Sequence, residues 1–112
     1  MNHKLSEEDD IVRIMIEGDV IGGPDAKTPH DLIHDLIGKN KTKIVLDLAK
    51  VELMNSSGLG ILISALTTAR QAKGDVLLMN VTDRIQNLLS ITKLNSVFKS
   101  YESFDSVKDH FN

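Results

Sequence analysis

Three features of the 112-residue chain predict an α/β domain of layered helices and strands. Short apolar runs alternate with amphipathic stretches along most of its length. Two of those runs, Ile44–Leu48 and the "DVLLMN" that starts at Asp75, show little polar alternation, which marks strands covered on both faces. Apolar residues make up 41% and charged residues 26% of the chain, a soluble balance at a length that supports one core but not two.

The elements follow in order. Residues 1–10, "MNHKLSEEDD", are polar and acidic and read as a flexible N-terminal arm, with the single domain running over 11–112. In "IVRIMIEGDVIGG", Val12, Ile14 and Ile16 share one side and Ile11 and Met15 the other. Gly18-Asp19 is a turn signal, and Val20-Ile21 reads as a short return strand ahead of Gly22, Gly23 and Pro24. In "TPHDLIHDLIGKN", Thr28 caps a helix, Pro29 fits its first position and Gly38 stops it; a start near Asp25 is the alternative. Leu32, Ile33, Leu36 and Ile37 form its apolar stripe.

After the buried run Ile44–Leu48 comes "LMNSSGLGILISALTTAR", whose Leu59, Leu62, Ile63 and Leu66 recur at helical spacing. Gly74 closes that helix, and "DVLLMN" is the next strand. Thr82 and Asp83 start a helix carrying Ile85, Leu88 and Leu89. A short strand near Phe98–Tyr101 follows, and Ser103 caps a closing helix with Phe104, Val107 and Phe111. Met54 and Met79 read as core filler.

Composition removes several classes of function. The formal charge is -3, and Lys39, Lys41 and Lys43 form the one basic cluster, so nucleic acid binding has no support. Three Phe, one Tyr and no Trp leave no aromatic platform for bases. The absence of cysteine removes thiolate chemistry and thiolate metal sites. No apolar run nears the roughly twenty residues of a membrane helix, and the first residues lack a signal peptide's apolar core, so a cytoplasmic protein without a membrane partner is expected. His30 and His34 stand four apart with no third ligand in view, so they read as surface residues and no metal or other cofactor is expected. Asp19, Asp47 and Glu52 read as solvated or turn-stabilising, and no paired carboxylates suggest acid–base catalysis.

The remaining candidate chemistry lies at Ser56 and Ser57, between a strand and a helix N-terminus. A plain reading has one serine cap the helix while Gly58 permits a tight turn. A nucleophile needs a base, and His3, His30, His34 and His110 have no context suggesting one. The hydrolase elbow and the phosphate-binding glycine loop are both absent. A phosphate acceptor is the stronger functional reading, because a helix N-terminus offers N–H groups and a favourable dipole to the added charge.

The stretch "IVLDLAKVELMNSSGLGILI" resembles a STAS domain of the bacterial anti-sigma factor antagonist kind. Asp47, Leu48 and Val51 match the family's opening, with Ala49 where serine is usual. Ser56, Ser57, Gly58, Leu59 and Gly60 match its core. "RIMIEGDV" from Arg13 is similar to the family's first strand and hairpin turn, and "ITKLNSVFKSYESFDSVKDHF" to its closing strand and helix. The resemblance implies a four- to five-stranded mixed sheet with about four helices largely on one side and an N-terminal edge hairpin. It implies a non-enzymatic regulator that binds an anti-sigma factor serine kinase until phosphorylated at Ser56, less favourably Ser57. A PP2C-type phosphatase would reverse the modification. Docking would involve Asp19, Ile21, Gly22, Gly23, Asn55, Ser56, Ser57, Gly58, Leu59 and Gly60. The family usually carries aspartate where this chain has Asn55, which leaves open a constitutive STAS binding or scaffold module without phosphorylation control.

Overall fold

The strands lie in the sheet in the order they occur in the chain. They are β1 (Asn2–Glu8), β2 (Ile11–Val20), β3 (Lys43–Met54), β4 (Asp75–Met79) and β5 (Ser100–Tyr101). β1 pairs antiparallel with β2, and every later pair is parallel. Helices α1 (Lys27–Gly38), α2 (Ser56–Gln71), α3 (Asp83–Ile91) and α4 (Phe104–Phe111) complete the fold, with a 3-10 turn at Leu94–Ser96. The computed structural model describes residues 2–20 and 27–111.

This order decides where the helices go. Each parallel connection steps one strand in the same direction, and right-handed crossovers then put all three connecting helices on one face. Ile14, Ile16, Ile44, Leu46, Leu48, Val76 and Leu78 point to that face and meet Ile33, Leu59, Leu62, Leu66, Ile85 and Leu89. Burying a leucine or isoleucine contributes about 1.5–3 kcal/mol, so this layer is the main source of stability. Among the described residues the opposite face is covered by α4, whose Val107 packs on Ile11, Val45, Leu77 and Met79.

The hairpin differs from the sequence expectation. Asn2–Glu8, read as an arm, is paired along its whole length with β2. Asp9 and Asp10, with φ of 53° and 67°, form the two-residue loop between Glu8 and Ile11. Positive φ at both loop positions matches the right-handed twist of the strands, and aspartate tolerates it. The hairpin therefore turns at Asp9-Asp10, and β2 continues past Gly18 to Val20. Ile21, Gly22, Gly23 and Pro24, assigned to a return strand and turn, lie outside the described residues.

Helix ends also shift. α1 begins at Lys27, so Pro29 takes its third position, still in the turn whose N–H groups have no helical acceptor. Asn40 at φ 64° ends it, with Lys41 N–H donating to the Leu36 carbonyl at 2.8 Å. α2 ends the same way, with Lys73 at φ 65° and Gly74 N–H donating to the Ala69 carbonyl. Glycine follows Lys73 for packing: a Cβ on Gly74 would lie 2.1 Å from the Thr42 carbonyl oxygen. β5 is two residues long, and Phe98, placed near it from sequence, is buried in the helix-side core instead.

Candidate functional site

β3 delivers the opening residues of α2, and a buried aspartate shapes how β3 gets there. Asp47 is 1% exposed on the face opposite the connecting helices, so it is not the solvated residue its type suggests. Arg13 of β2 donates to its Oδ2. Its Oδ1 accepts from the Ala49 N–H at 3.1 Å and from Asn80 Nδ2 at 3.3 Å. A buried carboxylate is tolerated only when its oxygens are paired in this way. The β2–β3 register slips beside this cluster, between Met15 and Glu17, and again between Gly18 and Val20. β3 therefore continues past its buried run to Met54, which lies opposite Val20.

The next residue caps the helix. Asn55 has extended φ and ψ of -107° and -178°, and its Oδ1 accepts the Gly58 N–H at 2.8 Å. The Leu59 N–H then makes the first helical bond, 2.9 Å to the Asn55 carbonyl. Asparagine and aspartate cap equally well, because each offers a carbonyl-type oxygen at the right distance. The expectation of a serine cap is thus corrected. Asn55 does that work, and Ser56 and Ser57 occupy the first two helical positions, ahead of the first helical hydrogen bond.

The expected docking residues divide by burial. Ser57 and Gly60 are exposed, and Ile63 continues their side of α2 at 38% exposure. Leu53, two residues before the cap, is 44% exposed. Gly58 and Leu59 are buried, Leu59 at 3%, so they shape the turn and anchor α2 in the core. The parallel register sets the end of β2, with Asp19, beside the end of β3. Ile21, Gly22 and Gly23 cannot be positioned against them, since they are outside the described residues.

Other candidates fall elsewhere. His110 bridges Tyr101 Oη at 3.0 Å and Asp75 Oδ2 at 3.3 Å under α4, on the opposite face of the sheet from α2. Among the described residues no group of three or more His, Cys, Asp or Glu is placed to hold a metal ion, and no helix is long and apolar enough to cross a membrane. The Asp47 cluster escaped the sequence reading. Its signal was an aspartate interrupting a strand otherwise read as buried on both faces, which requires a partner somewhere in the fold.

Comparison with known proteins agrees with this architecture. The family model for the STAS domain matches residues 4–109. The anti-sigma-B factor antagonist of Listeria monocytogenes is 33% identical over 54 residues, 48% of this chain and 47% of the relative, so the chain spans about half of that protein's length. The crystal structure of an anti-sigma factor antagonist from Mycobacterium paratuberculosis superposes with a TM-score of 0.82 at 18% identity, covering 97% of this chain and 92% of that one. Bacillus SpoIIAA in its phosphorylated form gives 0.73 at 15% identity, covering 96% and 98%. At such identities the structural likeness speaks for the fold, while the family model also covers the cap and the helix start. Running from the first strand into the last helix, that match means the chain belongs to the STAS domain family.

Proposed function

We propose that this chain is a partner-switching anti-sigma factor antagonist that binds an anti-sigma factor serine kinase through the start of α2. In this reading phosphorylation at Ser56, with Ser57 as the secondary acceptor, ends that binding, and a PP2C-type phosphatase restores it. The observation that carries it is the Asn55 cap. Asn55 supplies the capping oxygen to Gly58, so neither serine is needed for the turn. A phosphate adds about -1.5 to -2 charge, and at the first turn of a helix it meets the positive end of the dipole. The fold is therefore expected to survive modification. Binding is not, because the charge enters a surface that includes exposed Leu53, Gly60 and Ile63, where an apolar partner face would desolvate it.

A second reading, a constitutive STAS binding or scaffold module, is favoured by Asn55 standing where the family usually has aspartate. One experiment separates the two. The protein is incubated with ATP and each candidate anti-sigma kinase of its host, then measured by intact mass with site mapping and by binding. One phosphate on Ser56, with loss of kinase binding, supports the switch. Retained binding to a kinase that never phosphorylates the chain supports the constitutive module.

A further inference from the structure

β1 is the end of the sheet, so one side of its backbone has no strand partner among the described residues. An open edge of this length is a template for another strand. Its charges are polarised about one residue: His3 and Lys4 precede Leu5, and Glu7 and Glu8 follow it. Lys4 is 75% exposed and Glu8 62%. Leu5 is 48% exposed and borders a cavity of about 280 Å³ whose walls include Val12 of β2 and Leu36 of α1. We propose that β1 pairs antiparallel with β1 of a second copy, about a two-fold axis at Leu5, which makes the two sheets continuous.

Charge selects the direction, and the apolar Leu5 selects the register. An in-register parallel pair opposes like charges along the strand. An antiparallel pair centred on Lys4 opposes two lysines, and one centred on Ser6 sets Lys4 against Glu8 but places the apolar Leu5 against the Glu7 carboxylate and leaves its cavity uncovered. Centred on Leu5, the pair sets His3 against Glu7 of the second copy and Lys4 against its Ser6. Glu8 of the second copy then lies diagonally from Lys4 on the same face, within reach of a long side chain, with the second copy's Lys4 on the other diagonal. Glu7 and Glu8 already pair with Lys41 at 2.6 Å and Lys108 at 3.1 Å. Both remain on the surface and can share their charge across the junction. The two Leu5 side chains meet on the helix side and cover each other's cavity.

The absence of cysteine makes the test clean. Leu5→Cys places one thiol per copy at the axis, where opposed Cα atoms lie about 4.5–5.5 Å apart, inside the disulfide range of about 4.4–6.8 Å. A thiol from His3→Cys or Glu7→Cys stands roughly 13 Å from its own copy. In a glutathione exchange buffer, Leu5→Cys is expected to form the covalent dimer at least about tenfold faster than either control. Sedimentation of the unmodified protein is expected to move from the 12.4 kDa monomer toward twice that mass as concentration rises to millimolar. Leu5→Lys is expected to abolish that rise without lowering the melting temperature. Equal cross-linking at the three positions, or a monomer at millimolar concentration, overturns the proposal.

Discussion

Gly60→Ala is expected to make the protein more stable and its partner complex weaker. Gly60 lies in the second turn of α2, is exposed, and does not have positive φ. An added Cβ there would meet nothing within 4 Å. Glycine inside a helix costs about 0.8–1 kcal/mol relative to alanine, through the freedom it loses on folding. With no clash to offset the gain, Gly60→Ala is expected to stabilise by about 0.5–1 kcal/mol. For a domain of this size that raises the melting temperature by roughly 3–6 °C. Thermal melting and urea unfolding read it, with the urea slope unchanged if only stability has moved. The new methyl group also sits between Ser57 and Ile63, on the face assigned to the partner, so affinity for the cognate kinase is expected to fall. A less stable variant would refute the open helix face. A more stable variant with full affinity would refute the docking role of Gly60 and leave the fold reading intact.

Gly74→Ala should have the opposite sign, losing about 1–3 kcal/mol in the same melts, because its Cβ would lie 2.1 Å from the Thr42 carbonyl oxygen. Asn55→Ala removes the oxygen that accepts the Gly58 N–H and is expected to cost about 1 kcal/mol, whereas Asn55→Asp keeps the cap and stays near wild type. Asp47→Ala strands the Arg13 guanidinium and leaves the Ala49 N–H without that acceptor, a loss of about 3 kcal/mol in urea unfolding. Hydrogen bonds to Asp9 and then Glu8 raise the Lys108 pKa above its ordinary 10.5. The stabilisation from that raised pKa is fully present below the unfolded lysine value and disappears as pH rises through the folded one. The melting-temperature gap between wild type and Lys108→Met is therefore expected to hold at pH 9 and shrink above about pH 10.5; a gap constant to pH 12 would exclude the charge as its source.

The sequence was most readable where one local signal dominated. The alternation of apolar runs and helical stripes placed β3, α2, β4, α3 and α4, because burial and period coincide there. Asp83–Ile91 follows its Thr82 cap as expected, with Thr82 Oγ1 accepting from the Ile85 N–H. Signals split across the chain were harder to read. β1 has one large apolar residue, Leu5, and its pairing depends on β2 and on the Asp9-Asp10 turn, so it resembled an arm. Asp47 read as solvated or turn-stabilising because its partner Arg13 is 34 residues away in sequence. At the candidate site, the serines drew notice and the cap did not. Asn55 differs from its usual counterpart by an amide for an acid, and only its contact with Gly58 shows that the turn survives the exchange.

The strand order has a consequence for how the protein is made. Each strand neighbours in space only strands adjacent to it in sequence, so none must wait for a partner synthesised much later. A chain leaving the ribosome can extend the sheet one strand at a time, with each crossover helix settling as its strand arrives. The opposite face has no such provision. Val45, Leu77 and Met79 stay uncovered until α4, the last described element, docks. The nascent protein thus carries a greasy face until α4 has been made, and that face is where a ribosome-associated chaperone would find its handhold.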